Sequence, residues 1–197
     1  MSSLPKQRYT PQQYLEMERK AEFKSEYVSG EIIAMAGASR EHILIVSNLV
    51  RELGNLLRTS TCETYSNDMR TRISQTRYTY PDVVVGCLPE FEDTSLDVLL
   101  NPLVIIEVLS PTTEVDDRGW KFAHYRRSAT LTDYVMIAQH YPSVEHYSRF
   151  GQDLWTLREY VSLEDILTLP SLACEVRLAD IYERVVFPPE MGPSGEV

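Results

Sequence analysis

Residues Pro102-Leu103-Val104-Ile105-Ile106-Glu107-Val108-Leu109 form a continuous apolar run of strand length, rich in β-branched side chains and interrupted by one carboxylate. Such a run reads as a strand buried on both faces, so the chain must lay structure on both sides of a sheet, with this strand near its centre. Glu107 is then anomalous, because an unpaired buried charge is costly enough that the group neutralises or acquires a cation. Tyr80-Pro81-Asp82-Val83-Val84-Val85 repeats the pattern, with Asp82 directly before three valines. Carboxylates on two neighbouring strands would lie where oxygen ligands can hold a hard cation. The plainer alternative pairs each acid separately with an arginine or lysine, or leaves it at a strand end in water.

The remaining pattern alternates helices and strands. Thr10-Pro11-Gln12-Gln13 reads as a capping box with proline at the first helical position, opening a helix to about Ala21. Glu26 to Met35 reads as a hairpin turning at Ser29-Gly30. Ser39 caps a second helix to about Arg58, in which Val46, Leu49, Val50, Leu53, Leu56 and Leu57 recur at core-facing spacing. His42 lies one turn before Val46, where a lone histidine is more often a satisfied core residue than a ligand. Strands are expected over Glu63 to Tyr65, Met69 to Ile73, Asp133 to Ala138, Val144 to Arg149 and Leu154 to Glu159, and a helix from Asp116 to about Ser128. The acidic stretch Leu88 to Leu100 reads as a solvated loop or short helix without function. Residues 1–187 are expected to form a single domain, followed by a flexible Pro/Gly-rich tail over 188–197.

Charge and cysteine usage narrow the function classes. A formal charge of −10 argues against a protein that grips nucleic acid through a broad basic face. It leaves room for phosphate held by a bound metal and a local basic cluster. Three cysteines, Cys62, Cys87 and Cys174, lack metal-ligand spacing and read as small buried residues rather than as a disulfide scaffold. The N-terminal stretch has no apolar run after Lys6 and Arg8, so a cytoplasmic protein without signal peptide or anchor is expected.

After Leu109 the chain continues Ser110-Pro111-Thr112-Thr113, then Asp117-Arg118-Gly119-Trp120-Lys121. Asp117 and Lys121 fall one helical turn apart, and a helix folded back over the strand end would aim Lys121 at Glu107. The bland reading of that pair is a surface ion pair worth a few tenths of a kcal/mol, about the usual value for such contacts. Together with Tyr125, Gly37, His42 and the Glu26 to Gly30-Glu31 hairpin, these segments resemble the core signature of the Uma-type restriction-endonuclease family, within the PD-(D/E)XK nuclease-like superfamily. The resemblance extends to about Arg149.

It implies an α/β (α+β) restriction-endonuclease-like fold, a mixed β-sheet flanked by helices with the acidic site at the sheet's edge. It also implies that Asp82 is the aspartate of the PD half-motif and Glu107 the acid of the other half. Leu109 stands where the superfamily places lysine, and Lys121 is the natural substitute. Asp82, Glu107 and the Val108 carbonyl would then bind Mg²⁺ or Mn²⁺, with Glu31 or His42 as an additional ligand and Asp117 setting Lys121. Arg118, Arg126 and Arg127 would steady backbone phosphates of a DNA substrate, against a plain reading as a solvated helix face. A homodimer is expected through an exposed edge at Val144 to Leu157.

Two other classes compete with a metal-dependent DNA nuclease. A catalytically silent relative, acting as a nucleic-acid or protein interaction module, is favoured by the acidic charge and by Leu109. A metal-free acid–base enzyme would use the two carboxylates as glycoside hydrolases do, but no local pattern sets the tyrosines beside them.

Overall fold

The computed structural model describes residues 7–152 and 154–189. Most of the tail expected over 188–197 lies outside the described residues. The first helix, α1 (Pro11–Glu18), is opened by the capping box: Thr10 Oγ1 accepts from the Gln13 amide, and the Gln13 side chain accepts from the Thr10 amide. It stops a turn earlier than the sequence suggests. The hairpin β1 (Ser25–Val28) and β2 (Glu31–Ala34) turns through Ser29 and Gly30, both at positive φ (50° and 97°), the backbone hand that two-residue hairpins prefer.

Helix α2 (Arg40–Leu56) begins at Ser39, whose hydroxyl accepts from the His42 amide. Ile45, Val46, Leu49 and Leu53 form its buried face, whereas Leu56 is 47% exposed and is not part of the core. Strands β3 (Cys62–Ser66), β4 (Arg70–Ser74), β5 (Arg77–Thr79), β6 (Val83–Cys87), β7 (Val98–Leu99) and β8 (Val104–Leu109) follow. A crossover leads to β9 (Asp133–Ala138), which pairs parallel to β8, then to the antiparallel β10 (Val144–Phe150) and β11 (Leu154–Tyr160). A last hairpin, β12 (Ile166–Leu169) with β13 (Cys174–Arg177), and the short helix α5 (Leu178–Ile181) close the described chain.

The larger sheet has the order β11-β10-β9-β8-β6-β3 and the smaller one β2-β1-β5-β4-β7. Every residue of β8 is buried, in keeping with its interior place and its unbroken apolar sequence. Alternation splits its side chains between two cores. Val104, Ile106 and Val108 pack with α2, α5 and β13, and Ile105 and Leu109 pack with Leu99, Tyr125, Tyr134 and Met136. Glu107 shares the parity of Ile105 and Leu109, and Asp82 that of Val84, so both acids project on the second side. With Val83 opposite Ile106, Asp82 arrives beside Glu107 one step further on.

The crossover helix expected from Asp116 is built in three pieces: α3 (Glu114–Asp116), a π-helical turn over Asp117–Lys121 and α4 (Phe122–Tyr125). Gly119 breaks the helical backbone at φ −98°, ψ −105°. Two other expectations need correction. Leu88 to Leu100 is not a solvated loop: Val98 and Leu99 form a buried strand, and Glu92, Asp93 and Asp97 are taken up by arginines of distant segments. Cys62 and Cys87 are not simply small buried residues, because they face each other across β3 and β6 and their sulfurs are bonded, leaving Cys174 as the free, buried thiol. No helix among the described residues is long and apolar enough to cross a membrane.

Candidate active site

The two sheets and the crossover meet around an open cavity of about 600 Å³. Asp82, Glu107, Glu26, Asp117, Lys121 and His42 all line it. The acidic site therefore occupies a seam between two sheets, not the edge of one as the resemblance implied: β6 and β8 are interior strands and Glu26 comes from β1 of the smaller sheet.

Asp82 is held from both sides. Its Oδ2 accepts from the Val108 amide at 2.8 Å, and its Oδ1 meets His42 Nε2 at 2.9 Å. Glu107 is deeper: Oε1 accepts from the Tyr125 hydroxyl at 2.9 Å and from Lys121 Nζ at 3.3 Å, and Oε2 meets the Asp82 amide at a long 3.4 Å. The Tyr125 hydroxyl also lies 3.2 Å from Thr79 Oγ1 on the smaller sheet. Lys121 reaches the cavity because the π-helical turn directs both it and Asp117 inward, 2.8 Å apart, with the Asp117 carbonyl held by the Tyr134 hydroxyl. Glu26 Oε1 stands 3.8 Å from the same ammonium.

Three carboxylates, Glu26, Glu107 and Asp117, thus share one ammonium, and Asp82 faces His42 beside them. Burial pushes the Glu107 carboxyl well above the usual range, and although Lys121 opposes this, Asp117, Asp82 and Glu26 add to it. Burial likewise raises Glu26 and Asp117. For Lys121 burial acts to lower the pKa, but Glu107, Glu26 and Asp117 outweigh it and keep the ammonium charged.

This donor set fits a divalent cation. Asp117 Oδ1 is buried and, despite its ion pair with Lys121, has no partner in hydrogen-bonding geometry. Hard oxygen donors short of positive charge are what Mg²⁺ and Mn²⁺ require. Among the described residues no three His, Cys, Asp or Glu side chains are arranged to hold a metal ion together. A cation here would draw on two carboxylates and solvent, which is how Mg²⁺ is commonly held.

Other expected site residues are not brought together. Arg118 is exposed and engaged by Glu114 and Glu145, Arg126 lies over the Phe122 ring, and neither lines the cavity. Glu31, opposite Val28 in the hairpin, does not line it either. His42 faces the cavity through Asp82 instead of the core. Glu26 was missed because its sequence neighbours, Lys24 and Ser25, suggest a solvated strand; the full burial of Ser25 to Tyr27 becomes visible only once β1 is packed.

Comparison with known proteins bears on the family and the fold. Residues 11–180 match the model of the family Uma2, described as "Putative restriction endonuclease". Two proteins of Synechocystis sp. (strain PCC 6803) are similar: slr1290, 33% identical over 94% of this chain and 97% of its own length, and sll1609, 40% identical over 76% and 86%. A crystal structure from Anabaena variabilis, titled "a putative nuclease belonging to DUF820", superposes with a TM-score of 0.74 over 90% of this chain and 99% of the other. At 20% identity that likeness establishes a shared fold.

Proposed function

We propose, from the premise that the chain belongs to the Uma2 family, that it is a divalent-metal-dependent nuclease hydrolysing DNA phosphodiester bonds, with Asp82, Glu107 and Lys121 as its catalytic set. The observation that carries this reading is the imbalance of charge in the cavity: three carboxylates gathered round one ammonium, with a fourth, Asp82, beside Glu107, at the place where two apolar strands each contribute an acid. Structural ion pairing would have balanced them, and a hard cation does so.

Asp82 and Glu107 would hold Mg²⁺ or Mn²⁺, with the Val108 carbonyl as a further oxygen. Such an ion polarises a phosphodiester and lowers the pKa of a bound water. The protein's own groups do the remaining work. The Val108 amide and His42 orient the Asp82 carboxylate from two directions, and the Tyr125 hydroxyl fixes one oxygen of Glu107. Lys121, kept protonated by its acidic neighbours, would orient a water or meet a phosphate oxygen as a point charge. Asp117 holds Lys121 in place through their 2.8 Å ion pair.

The purified protein should hydrolyse DNA phosphodiesters in Mg²⁺ or Mn²⁺, assayed on both single-stranded and plasmid substrates, and Glu107→Ala should abolish cutting while circular dichroism remains native. Cutting that persists undiminished in the variant would refute the assignment. One observation favours the silent-relative reading: cationic side chains near the cavity are already committed, Lys24 to Asp68 and the Asn67 carbonyl, and Arg40 to Glu41. Absence of hydrolysis across metals and substrates would support it. A homodimer is the proposed assembly, through the outer strand β11, where Leu154 and Leu157 are about half exposed.

A further inference from the structure

The cavity does not end at His42. His42 and Asn67 also border a second depression of about 400 Å³, formed by Ile43, Val46, Ser47 and Val50 of α2 and by Ser66 at the end of β3. Apart from the His42 ring, its walls carry no ionisable side chain, in a molecule of formal charge −10 whose main cavity is lined by Glu26, Asp82, Glu107, Asp116 and Asp117. Along this side a polyanion could approach the carboxylates without meeting further negative charge.

The lining is chemically specific. Ile43, Val46 and Val50 offer an apolar wall; the Ser47 hydroxyl, whose proton goes to the Ile43 carbonyl, offers an acceptor, and the Ser66 hydroxyl and Asn67 amide offer donors and acceptors. An unpaired nucleobase presents the matching surfaces, two apolar faces and a hydrogen-bonding edge, whereas a paired and stacked base exposes neither face. The depth of the carboxylates points the same way. The Asp82 and Glu107 side chains are only 15% and 4% exposed, below a rim whose cations are already paired. A duplex is ordinarily gripped by free basic residues along its backbone.

We infer that the groove between α2 and the β3–β4 turn seats an unpaired nucleoside next to the phosphodiester at Asp82 and Glu107, so that the substrate is single-stranded DNA and not an intact duplex. The inference rests on the nuclease reading of the main cavity and adds to it the state of the strand. His42 stands at the junction: its ring borders the groove, and its Nε2 touches Asp82.

The test uses the full chain and a labelled oligothymidylate, either free or annealed to oligoadenylate, with cleavage followed in Mn²⁺ and binding followed by fluorescence anisotropy. The free strand should be cut, and bound, about tenfold better or more, the value of one well-seated base. Ser47→Trp, at an exposed helix position, should fill the groove and erase the preference, and Ile43→Ala should reduce it. Equal or faster cutting of the annealed form, or a preference unchanged in both variants, would overturn the inference and leave the nuclease reading standing. If neither form is cut in any metal, the nuclease reading fails and binding decides the groove. Tighter binding of the free strand that Ser47→Trp abolishes would uphold it, and equal binding of both forms would overturn it.

Discussion

Two acidic clusters in this molecule obey opposite rules. Around the turn from β6 to β8, Glu92, Asp93 and Asp97 are each met by arginine: Arg72 on Glu92, Arg19 on Asp93 and Asp97, and Arg70 also on Asp97. In the cavity Glu26, Glu107 and Asp117 have Lys121 as their ammonium, and Asp82 has His42 beside it. The electrostatic consequences diverge: hydrogen bonds from Arg19 pull Asp93 and Asp97 below the usual carboxylate range, while burial pushes Glu107, Glu26 and Asp117 above it. In the first cluster each acid has an arginine, although Glu92 Oε2 is buried without a hydrogen-bond partner, and the pairs fasten α1 to β4 and the segment before β7. The second sets several buried acids against one ammonium, the imbalance on which the proposed metal site rests.

The sharpest way to break this contrast is to remove each cluster's cation. Lys121→Met leaves buried acids with no counter-charge and should cost about 3–5 kcal/mol at neutral pH, read from urea unfolding. A loss below about 1 kcal/mol, typical of an exposed pair, would erase the distinction. Next in size is the response to metal. Mn²⁺ at about a hundred times its dissociation constant should stabilise the wild type by about 2.7 kcal/mol, and Glu107→Gln should lose most of that gain in a thermal melt.

The pH dependence sharpens the comparison further. Because the folded pKa values of Glu107, Glu26 and Asp117 are raised, the folded state binds more protons than the unfolded one above the unfolded pKa of about 4.3 for glutamate. In the absence of metal, stability should therefore fall as pH rises from that value through the raised ones. Glu107→Gln should melt above the wild type at neutral pH and converge with it near pH ~4; a constant offset across this range would refute the cause. The smallest effect belongs to the balanced cluster: Arg19→Met should cost about 1 kcal/mol or less, diminishing with salt.

The same contrast explains what was legible in the sequence. Asp82, Glu107 and the strands that bear them stand out because a charge inside an apolar run is anomalous wherever the chain folds, and Lys121 follows from helical spacing with Asp117. The arginine pairing of Glu92, Asp93 and Asp97 is invisible in sequence, since their partners lie at Arg19, Arg70 and Arg72 and come near only when the smaller sheet forms. Glu26 is hidden for the same reason. The Cys62–Cys87 bond depends on a strand register that spacing does not specify. Helix α2 was readable from its cap and stripe, but Leu56 fell outside the core because it lies to one side of the face that Leu49, Leu53 and Leu57 bury.

The parallel pairing of β8 with β9 has a consequence for how such a site can drift in evolution. Adjacent parallel strands need a long connection back across the sheet, and here residues 110–132 provide it. That return path must pass the end of β8 whatever its sequence, so topology alone supplies a second address from which a cation can be delivered to Glu107. A lineage is then free to give Leu109 to the hydrophobic interior, where it is 5% exposed, while charge is delivered from Lys121. In families built on this topology, selection can retain the position of a charge in space while its position in the alignment moves.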